Sequence, residues 1–389
     1  MGRSKDKYVI GLTGNIATGK SLVRRMLEHL GAYTIDADGL AHQAMAPGAP
    51  AYKPVVLTFG QWILDNDKRI DRSRLGAVVF SHPDALKRLE ALTHPIVIRA
   101  IDTLIARSKH KIVVVEAIKL LEGPLAERLD AVWVVDAGEQ TQLERLAKRG
   151  LDREAALKRI RTQNPQAQKL ARADVIVYNE GTLDETWGQV RTAWKQVQAL
   201  MQQADVQELV RRVDVAPGQQ PAGQRAITSI DILRGMPHNA EQIAAVLQER
   251  NGQQLSREDV IMALGQRSYM MAASEGRPLG LVGFVVENLV TRVDELFLMR
   301  GAPARPTVAA LVDAVEQASR ALQSELGYIF LPENAPRDMV ESVSQQGYRQ
   351  MKIEEIKVPA WREAARESQP AGTVIFAKKL RAERVLKPL

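Results

Sequence analysis

The sequence predicts two domains of different class. The first half reads as an α/β domain with a five-stranded parallel sheet. The second reads as an α+β domain with a mixed, mostly antiparallel sheet. Three observations carry this prediction. Residues 1 to about 200 alternate short apolar, β-branched runs with amphipathic helical patterns, the signature of a parallel sheet covered on both faces. Val215–Arg225, VAPGQQPAGQR, holds two prolines, two glycines and three glutamines, and reads as a linker. Beyond it, neighbouring strand-like runs flank the turn Gly276–Pro278, as in an antiparallel meander. The expected division is 1–212, a linker at 213–225, and 226–389. The alternative to a linker is a long surface loop within one domain.

In the first half the expected strands are Tyr8–Thr13, Tyr33–Asp36, Lys111–Glu116, Ala131–Asp136 and Val175–Tyr178. Helical patterns between them include Lys20–Leu30, Pro83–Thr93 and Arg153–Gln163, and residues 182–211 read as one long helix. The second half begins with a strand-like ITSIDILR, then helices over Asn239–Arg250 and Ser256–Leu264. Strands follow at Ser268–Ala273, Gly280–Asn288 and Arg292–Met299. Helix Thr307–Leu326, strand Tyr328–Leu331 and helix Arg337–Gln346 come next, with last strands near Gln350–Val358 and Gly372–Lys379.

Composition narrows the chemistry. The 389 residues include no cysteine, which excludes disulfides, thiolate metal sites and a cysteine nucleophile. No apolar run approaches the ~18 residues of a membrane span, so the expectation is a cytoplasmic protein without a membrane partner. The charge sum, 53 − 46 = +7, suits polyphosphate substrates as well as nucleic acid, and no nucleic-acid partner is expected.

The sharpest motif is Gly14-Asn15-Ile16-Ala17-Thr18-Gly19-Lys20-Ser21, which fits GxxxxGK[ST]. It follows the apolar strand Tyr8–Thr13 and opens the helix SLVRRMLEHL, the context a phosphate-binding loop requires. Backbone N–H groups from Gly14 through Leu22 would wrap a polyphosphate, with the helix dipole behind them. Lys20 supplies charge to the β- and γ-phosphates, and the Ser21 hydroxyl is a Mg²⁺ ligand. Asp36-Ala37-Asp38 ends the second strand, on the side where parallel sheets bind ligands. An aspartate there can orient an acceptor hydroxyl and take its proton; the alternative is a pair of solvated loop carboxylates. Glu116 ends the third strand. It could hold Mg²⁺ or its water shell, or pair with Lys20 or Lys119.

From about Val9 to Val197 the chain resembles the dephospho-coenzyme A kinase family, whose fold is a P-loop kinase with a five-stranded parallel sheet and a helical lid. The resemblance is carried by GLTGNIATGKS (Gly11–Ser21), TIDADGLAHQ (Thr34–Gln43), APGAPAY (Ala46–Tyr52), Phe59-Gly60 and IDRSRLGAVVF (Ile70–Phe80). It continues through Leu92-Thr93-His94-Pro95, Leu120-Leu121-Glu122, QLERLAKRGLDREAALKRIRTQ (Gln142–Gln163) and ARADVIVYNEG (Ala171–Gly181). It implies transfer of the ATP γ-phosphoryl group to the ribose 3′-hydroxyl of dephospho-CoA, with Mg²⁺, as the last step of CoA synthesis. It implies Asp38 as general base and Asp36 as a structural or metal-linked group on the substrate-binding side. Arg145 and Arg149 fall in the lid, where they would neutralise the transferring phosphoryl group; the alternative is a solvated helix face. His94 falls on the substrate side and could touch the acceptor's phosphates, or be a helix cap or core contact. Asn179 falls in the adenine-side loop, and Lys119 stands near the site, free to meet substrate phosphate or to face solvent. Two departures stand out. Asn15 and Ala17 replace glycines, and Ala17 would resist positive φ. Another P-loop nucleotide kinase, or a nucleotide sensor without catalysis, is the rival reading.

The second half resembles, more loosely, the GNAT acyltransferases, on Leu281-Val282-Gly283-Phe284-Val285, the strand pair up to Leu298 and the helix ending in Gly347-Tyr348. That resemblance implies a CoA or acetyl-CoA site after the strand ending at Met299. There the segment reads Arg300-Gly301-Ala302-Pro303-Ala304-Arg305-Pro306, whose two prolines remove two N–H donors. Glu287 and Asp294–Glu295 could serve as a base, or be surface strand carboxylates. The expectation is a degenerate module for binding, dimerisation or regulation, against an active acyltransferase.

Overall fold

The computed structural model describes residues 7–212, 230–236, 239–251, 255–287, 289–381 and 385. The expected linker at 213–225 lies outside the described residues.

The first half is built on strands β1 (Tyr8–Thr13), β2 (Tyr33–Asp36), β3 (Ile112–Glu116), β4 (Ala131–Asp136) and β5 (Val175–Tyr178). They form one sheet in the order β2-β3-β1-β4-β5, and every pairing is parallel. All five residues of β3 are buried, as expected of an inner strand covered on both faces. The helices are α1 (Lys20–His29), α2 (Ala37–Ala44), α3 (Tyr52–Phe59), α4 (Arg72–Ser81), α5 (Pro83–Arg107), α6 (Glu139–Lys148), α7 (Arg153–Arg161), α8 (Gln166–Leu170) and α9 (Leu183–Arg212). One face of the sheet packs Ile10, Leu12 and Trp133 against Val23 and Leu27 of α1 and Val190 and Trp194 of α9. The other packs Val9, Ile35, Val113 and Val115 against Val97, Ile101 and Leu104 of α5.

One expected boundary is corrected. The helix from Pro83 was expected to stop at Thr93, before the His-Pro pair. It continues through Pro95 to Arg107. Proline costs an interior helix one N–H, yet Val97, Ala100, Ile101 and Leu104 beyond it are all buried, and that burial outweighs the lost bond. His94 is therefore a mid-helix residue, not a helix end.

The second half holds β6 (Asp231–Arg234), β7 (Ser268–Ser274), β8 (Arg277–Glu287), β9 (Val290–Leu298), β10 (Leu326–Pro332), β11 (Arg349–Met351) and β12 (Thr373–Lys379). They form a seven-stranded sheet in the order β11-β12-β10-β9-β8-β7-β6. Among the described residues only the β9–β10 pairing of this sheet is parallel. Helices α10 (Ala240–Asn251), α11 (Arg257–Leu264), α12 (Ala304–Ala321), α13 (Arg337–Gln345) and α14 (Pro359–Ser368) cover it. Three expectations change here. The helix expected over Thr307–Leu326 runs Ala304–Ala321, and Leu326 opens β10 instead. The strand near Gln350–Val358 shrinks to Arg349–Met351, followed by a 3₁₀ turn at Ile353–Glu355. Helix α14 was not anticipated: Pro359 sits at its first turn, where the missing N–H costs nothing, and Ala, Glu and Arg propagate it.

The halves meet along α1 and β8. Leu289 joins the first-half core, with Leu322 packed against it. Arg234 donates to the Glu28 carbonyl at 3.2 Å, and Gln323 to the Arg107 carbonyl at 3.1 Å. His29 Nε2 lies 3.1 Å from the Leu264 carbonyl, while its Nδ1 is buried without a partner. Burial first, and the Arg234 charge second, push the His29 imidazole down from 6.5 to about 4. An imidazole held neutral in the fold but free to protonate once unfolded contributes its full stability above pH 6.5. That contribution is lost as pH falls towards 4. Urea melts should therefore lose about 2 kcal/mol between pH 7 and pH 5, and His29→Gln should flatten that slope. An unchanged slope in the variant would remove His29 as its source. Among the described residues no helix is long and apolar enough to cross a membrane.

Candidate active site

The loop from Gly14 to Ser21 joins the central strand β1 to α1. Two glycines make its path available. Gly14 has φ 150°, and a Cβ there would stand 2.4 Å from the Val135 carbonyl oxygen. Gly19 has φ 102°, and a Cβ there would stand 2.0 Å from Asn179 Nδ2. Ala17 was expected to resist positive φ, yet it adopts φ 59°. Its methyl is buried with Leu143, Leu146 and Ala156 of α6 and α7, which compensates a strain of roughly 1–2 kcal/mol.

The loop is braced from several sides. Arg145 Nη1 donates to the Ala17 and Thr18 carbonyls at 3.0 Å each, and its Nη2 to the Asn179 carbonyl at 2.7 Å. Asn179 Nδ2 donates to the Thr18 carbonyl at 2.8 Å, and its Oδ1 accepts from Thr186. Both residues, anticipated at phosphate and adenine, thus hold the loop's backbone from behind. The Leu22 N–H bonds the Gly19 carbonyl within the first turn of α1, and its side chain lies towards Gly265 of the second half. The N–H groups of Asn15 and Ile16 do have acceptors: Gln166 Oε1 at 3.0 Å and Gln163 Oε1 at 2.7 Å.

Lys20 is buried, with Nζ 3.2 Å from the Asn15 carbonyl. Burial lowers its affinity for a proton; Glu116 and Asp38 oppose that, while the nearby Arg149 charge adds to it. Arg149 is exposed, at the end of α6. Ser21 Oγ donates to Glu116 Oε1 at 3.1 Å. The other Glu116 oxygen accepts from Arg24 Nε at 2.7 Å.

Asp36 and Asp38 diverge. Asp36 caps α2, accepting from the Gly39 N–H at 2.9 Å. Asp38 accepts from the Ile118 N–H at 3.3 Å and keeps one side open to solvent. Surrounding protein, then the Asp36 charge, push the Asp38 carboxyl up from 3.8 to about 6. Lys119 is half-exposed and pairs with Glu90 of α5 at 2.8 Å. His94 is half-buried on α5, and among the described residues no hydrogen bond ties it to the phosphate loop.

Sequence reasoning missed four residues. Lys169 is buried on α8, donating to Asn15 Oδ1 at 2.7 Å; burial first, and the Lys20 charge second, bring it down to about 8. Arg24 lies four residues beyond Lys20 on the same helix face, a spacing that could have revealed it. Gln163 and Gln166 carry no periodic signal, because they sit where α7 gives way to α8.

A phosphate loop after the central strand of a parallel sheet, with a lysine, a serine–glutamate pair and a basic carboxylate around it, defines a P-loop phosphotransferase. The family model described as dephospho-CoA kinase matches residues 8–185. The chain belongs to the dephospho-CoA kinase family. The dephospho-CoA kinase of Geobacter metallireducens is 46% identical over 192 residues, covering 48% of this chain and 96% of that protein. The one from Carboxydothermus hydrogenoformans is 42% identical over 194 residues, covering 48% and 94%. The solved dephospho-CoA kinase of Campylobacter jejuni is 28% identical with a TM-score of 0.38, over 49% of this chain and 97% of that one. An N-acetyltransferase of Thermoplasma acidophilum, solved with coenzyme A, is 11% identical with a TM-score of 0.30, over 39% of this chain and 99% of that one.

Proposed function

We propose that the first half transfers the γ-phosphoryl group of ATP to the ribose 3′-hydroxyl of dephospho-CoA, giving CoA and ADP. The observation that carries this reading beyond nucleotide binding is Asp38: it stands past the ligand end of β2, solvent-accessible, held by the Ile118 N–H and within the field of Lys20, a placement that serves an acceptor hydroxyl and that a sensor does not need. Asp38 orients the hydroxyl and takes its proton as the new O–P bond forms and the bond to the β-phosphate oxygen breaks. Lys20 compensates charge on the β- and γ-phosphates. Arg149 is the exposed lid cation closest in sense to the arginine expected to meet the transferring group, while Arg145 and Asn179 keep the loop rigid. Lys169 supports the loop through Asn15.

Mg²⁺ fits the donor set, since Ser21 Oγ and Glu116 Oε1 are hard oxygens 3.1 Å apart. When bound, Mg²⁺ would neutralise phosphate charge. Purified protein with ATP, Mg²⁺ and dephospho-CoA should yield ADP and CoA in equal amounts. ADP without CoA, or turnover only with another nucleoside acceptor, would favour the broader kinase class.

The second half, in this proposal, is a GNAT-like binding or regulatory module and not an acyltransferase. The parallel β9–β10 pairing stops at Val293–Ile329, and beyond it a cleft of about 570 Å³ opens, lined by Asp294, Leu296, Met299, Arg300 and Phe330. The carboxylates available as a base are in ion pairs: Asp294 and Glu295 with Arg267 at 3.0 Å, and Glu287 with Arg25 at 3.1 Å. Helix α12 brings Pro306 to the turn that would have to donate N–H groups to a pyrophosphate. Acetyl-CoA titrated into the full chain, followed by a thioester-cleavage assay with amine acceptors, separates the readings. Turnover would restore the acyltransferase.

A further inference from the structure

We infer that Glu287, at the end of β8 in the second half, is a positioning residue for the phosphoryl-transfer site of the first. The inference rests on the proposed role of Ser21 and Glu116, and it concerns how Glu116 is held there.

Two arginines of α1 form the link. Arg24 Nε reaches Glu116 Oε2 at 2.7 Å, and its Nη1 reaches Glu28 Oε1 at 2.9 Å. Arg25 Nη1 reaches Glu28 Oε2 at 2.8 Å. The Nη2 atoms of both turn to one acceptor across the interface. Arg25 Nη2 lies 3.1 Å, and Arg24 Nη2 4.0 Å, from Glu287 Oε1. The other Glu287 oxygen is held by Arg292 of β9. The side chains of Arg24, Arg25, Glu28 and Glu116 are 6%, 4%, 3% and 8% exposed, while that of Glu287 is 38% exposed, so Glu287 closes the buried cluster from its rim.

The order of these contacts matters. Glu116 has two oxygens: one faces Ser21, the other Arg24. Whatever sets the Arg24 guanidinium therefore sets the plane of the Glu116 carboxylate, and with it the oxygen offered beside Ser21. Burial opposes the Arg24 charge, but Glu28 and Glu116 hold it firmly protonated. Within the first half Arg24 is held at Nε by Glu116 and at Nη1 by Glu28 and Thr34. Glu287 adds the acceptor on the Nη2 side, at 4.0 Å from Arg24 and hydrogen-bonded to the neighbouring Arg25. Removing it leaves buried N–H donors facing a small void of about 40 Å³ between the halves, lined by Arg24, Glu28, Asp36, Glu287 and Leu289. Arg24 would then close on Glu28 or draw Glu116 off Ser21. Partners that orient a ligating carboxylate cost about tenfold or more in metal affinity when lost.

The test compares the full chain with Glu287→Gln, Glu287→Asp and, as an interface control, Arg257→Ala. That control breaks only the exposed 3.3 Å pair with Asp184. Calorimetric ATP binding with and without Mg²⁺ gives a readout independent of turnover; steady-state kinetics over a Mg²⁺ series gives the second. Glu287→Gln should raise the half-saturating Mg²⁺ concentration and weaken Mg²⁺-dependent ATP binding about tenfold. Mg²⁺-free ATP binding should be unchanged, Glu287→Asp should recover part of the loss, and Arg257→Ala should match wild type. A Glu287→Gln protein with lowered melting temperature but unaltered Mg²⁺ dependence would overturn the inference, as would an equal effect from Arg257→Ala. A wild-type chain without phosphoryl transfer would instead refute the functional reading beneath it.

Discussion

Asp38→Asn should reduce kcat by about 10²–10⁴-fold while leaving the ATP dissociation constant within about twofold, because the amide keeps the shape of the site and loses the proton acceptor. The wild-type profile gives the same group a second signature. A base with a carboxyl near 6 is idle below that value, so kcat/KM should climb with pH through about 6 and level off above it. The limb should vanish in Asp38→Asn. Asp36→Asn, by deleting the neighbouring like charge, should move it to lower pH. Loss of fold is not a competing explanation for Asp38→Asn. A carboxyl raised in the folded state burdens the fold above pH 6, where it must ionise against its surroundings, so the asparagine variant should melt no lower than wild type at pH 7. Unchanged kcat would discard the base assignment outright.

Lys20→Met should lose roughly 10²–10³-fold in kcat/KM for ATP. The ammonium is buried against the Asn15 carbonyl and stands within the fields of Glu116 and Asp38. Methionine fills the stem's volume and removes only the charge. The damage should fall on both kcat and KM, since in the proposed mechanism the lysine meets phosphates in the ground state and follows them through transfer. Lys20→Arg should recover little, because a planar fork cannot fit a space shaped for a compact ammonium. Lys169 makes a discriminating comparison. It touches the loop only through Asn15 Oδ1, so Lys169→Met should raise the KM for ATP with a smaller effect on kcat. A kcat loss matching that of Lys20→Met would promote Lys169 to a direct phosphate ligand.

Much of this arrangement was legible in the sequence because it rests on local rules. The strand–loop–helix context located the phosphate loop, and β-branched runs located all five parallel strands. The Asp36–Asp38 spacing gave two carboxylates, though capping is what separates their roles. The misses arose where tertiary burial overrode local preference. Pro95 reads as a helix stop, but four buried side chains beyond it carry α5 onward. The α14 segment reads weakly because its pattern is polar, with Ala365 its one fully buried residue. Arg24 and Lys169 looked like surface charges, because a sequence shows the charge but not the carboxylates or carbonyls that enclose it. The Glu287 contact joins residues 262 positions apart and belongs to neither half's own pattern.

The two glutamine oxygens on the phosphate loop bear on what a nucleotide gains by arriving. The N–H groups of Asn15 and Ile16 are already satisfied by Gln166 and Gln163, so binding exchanges one set of acceptors for another. At these two positions the count of hydrogen bonds changes little; what the phosphates add there is negative charge beside Lys20 and Lys169. The ionic share of nucleotide affinity in this loop should weaken steadily as salt is raised, more for a triphosphate than for a monophosphate.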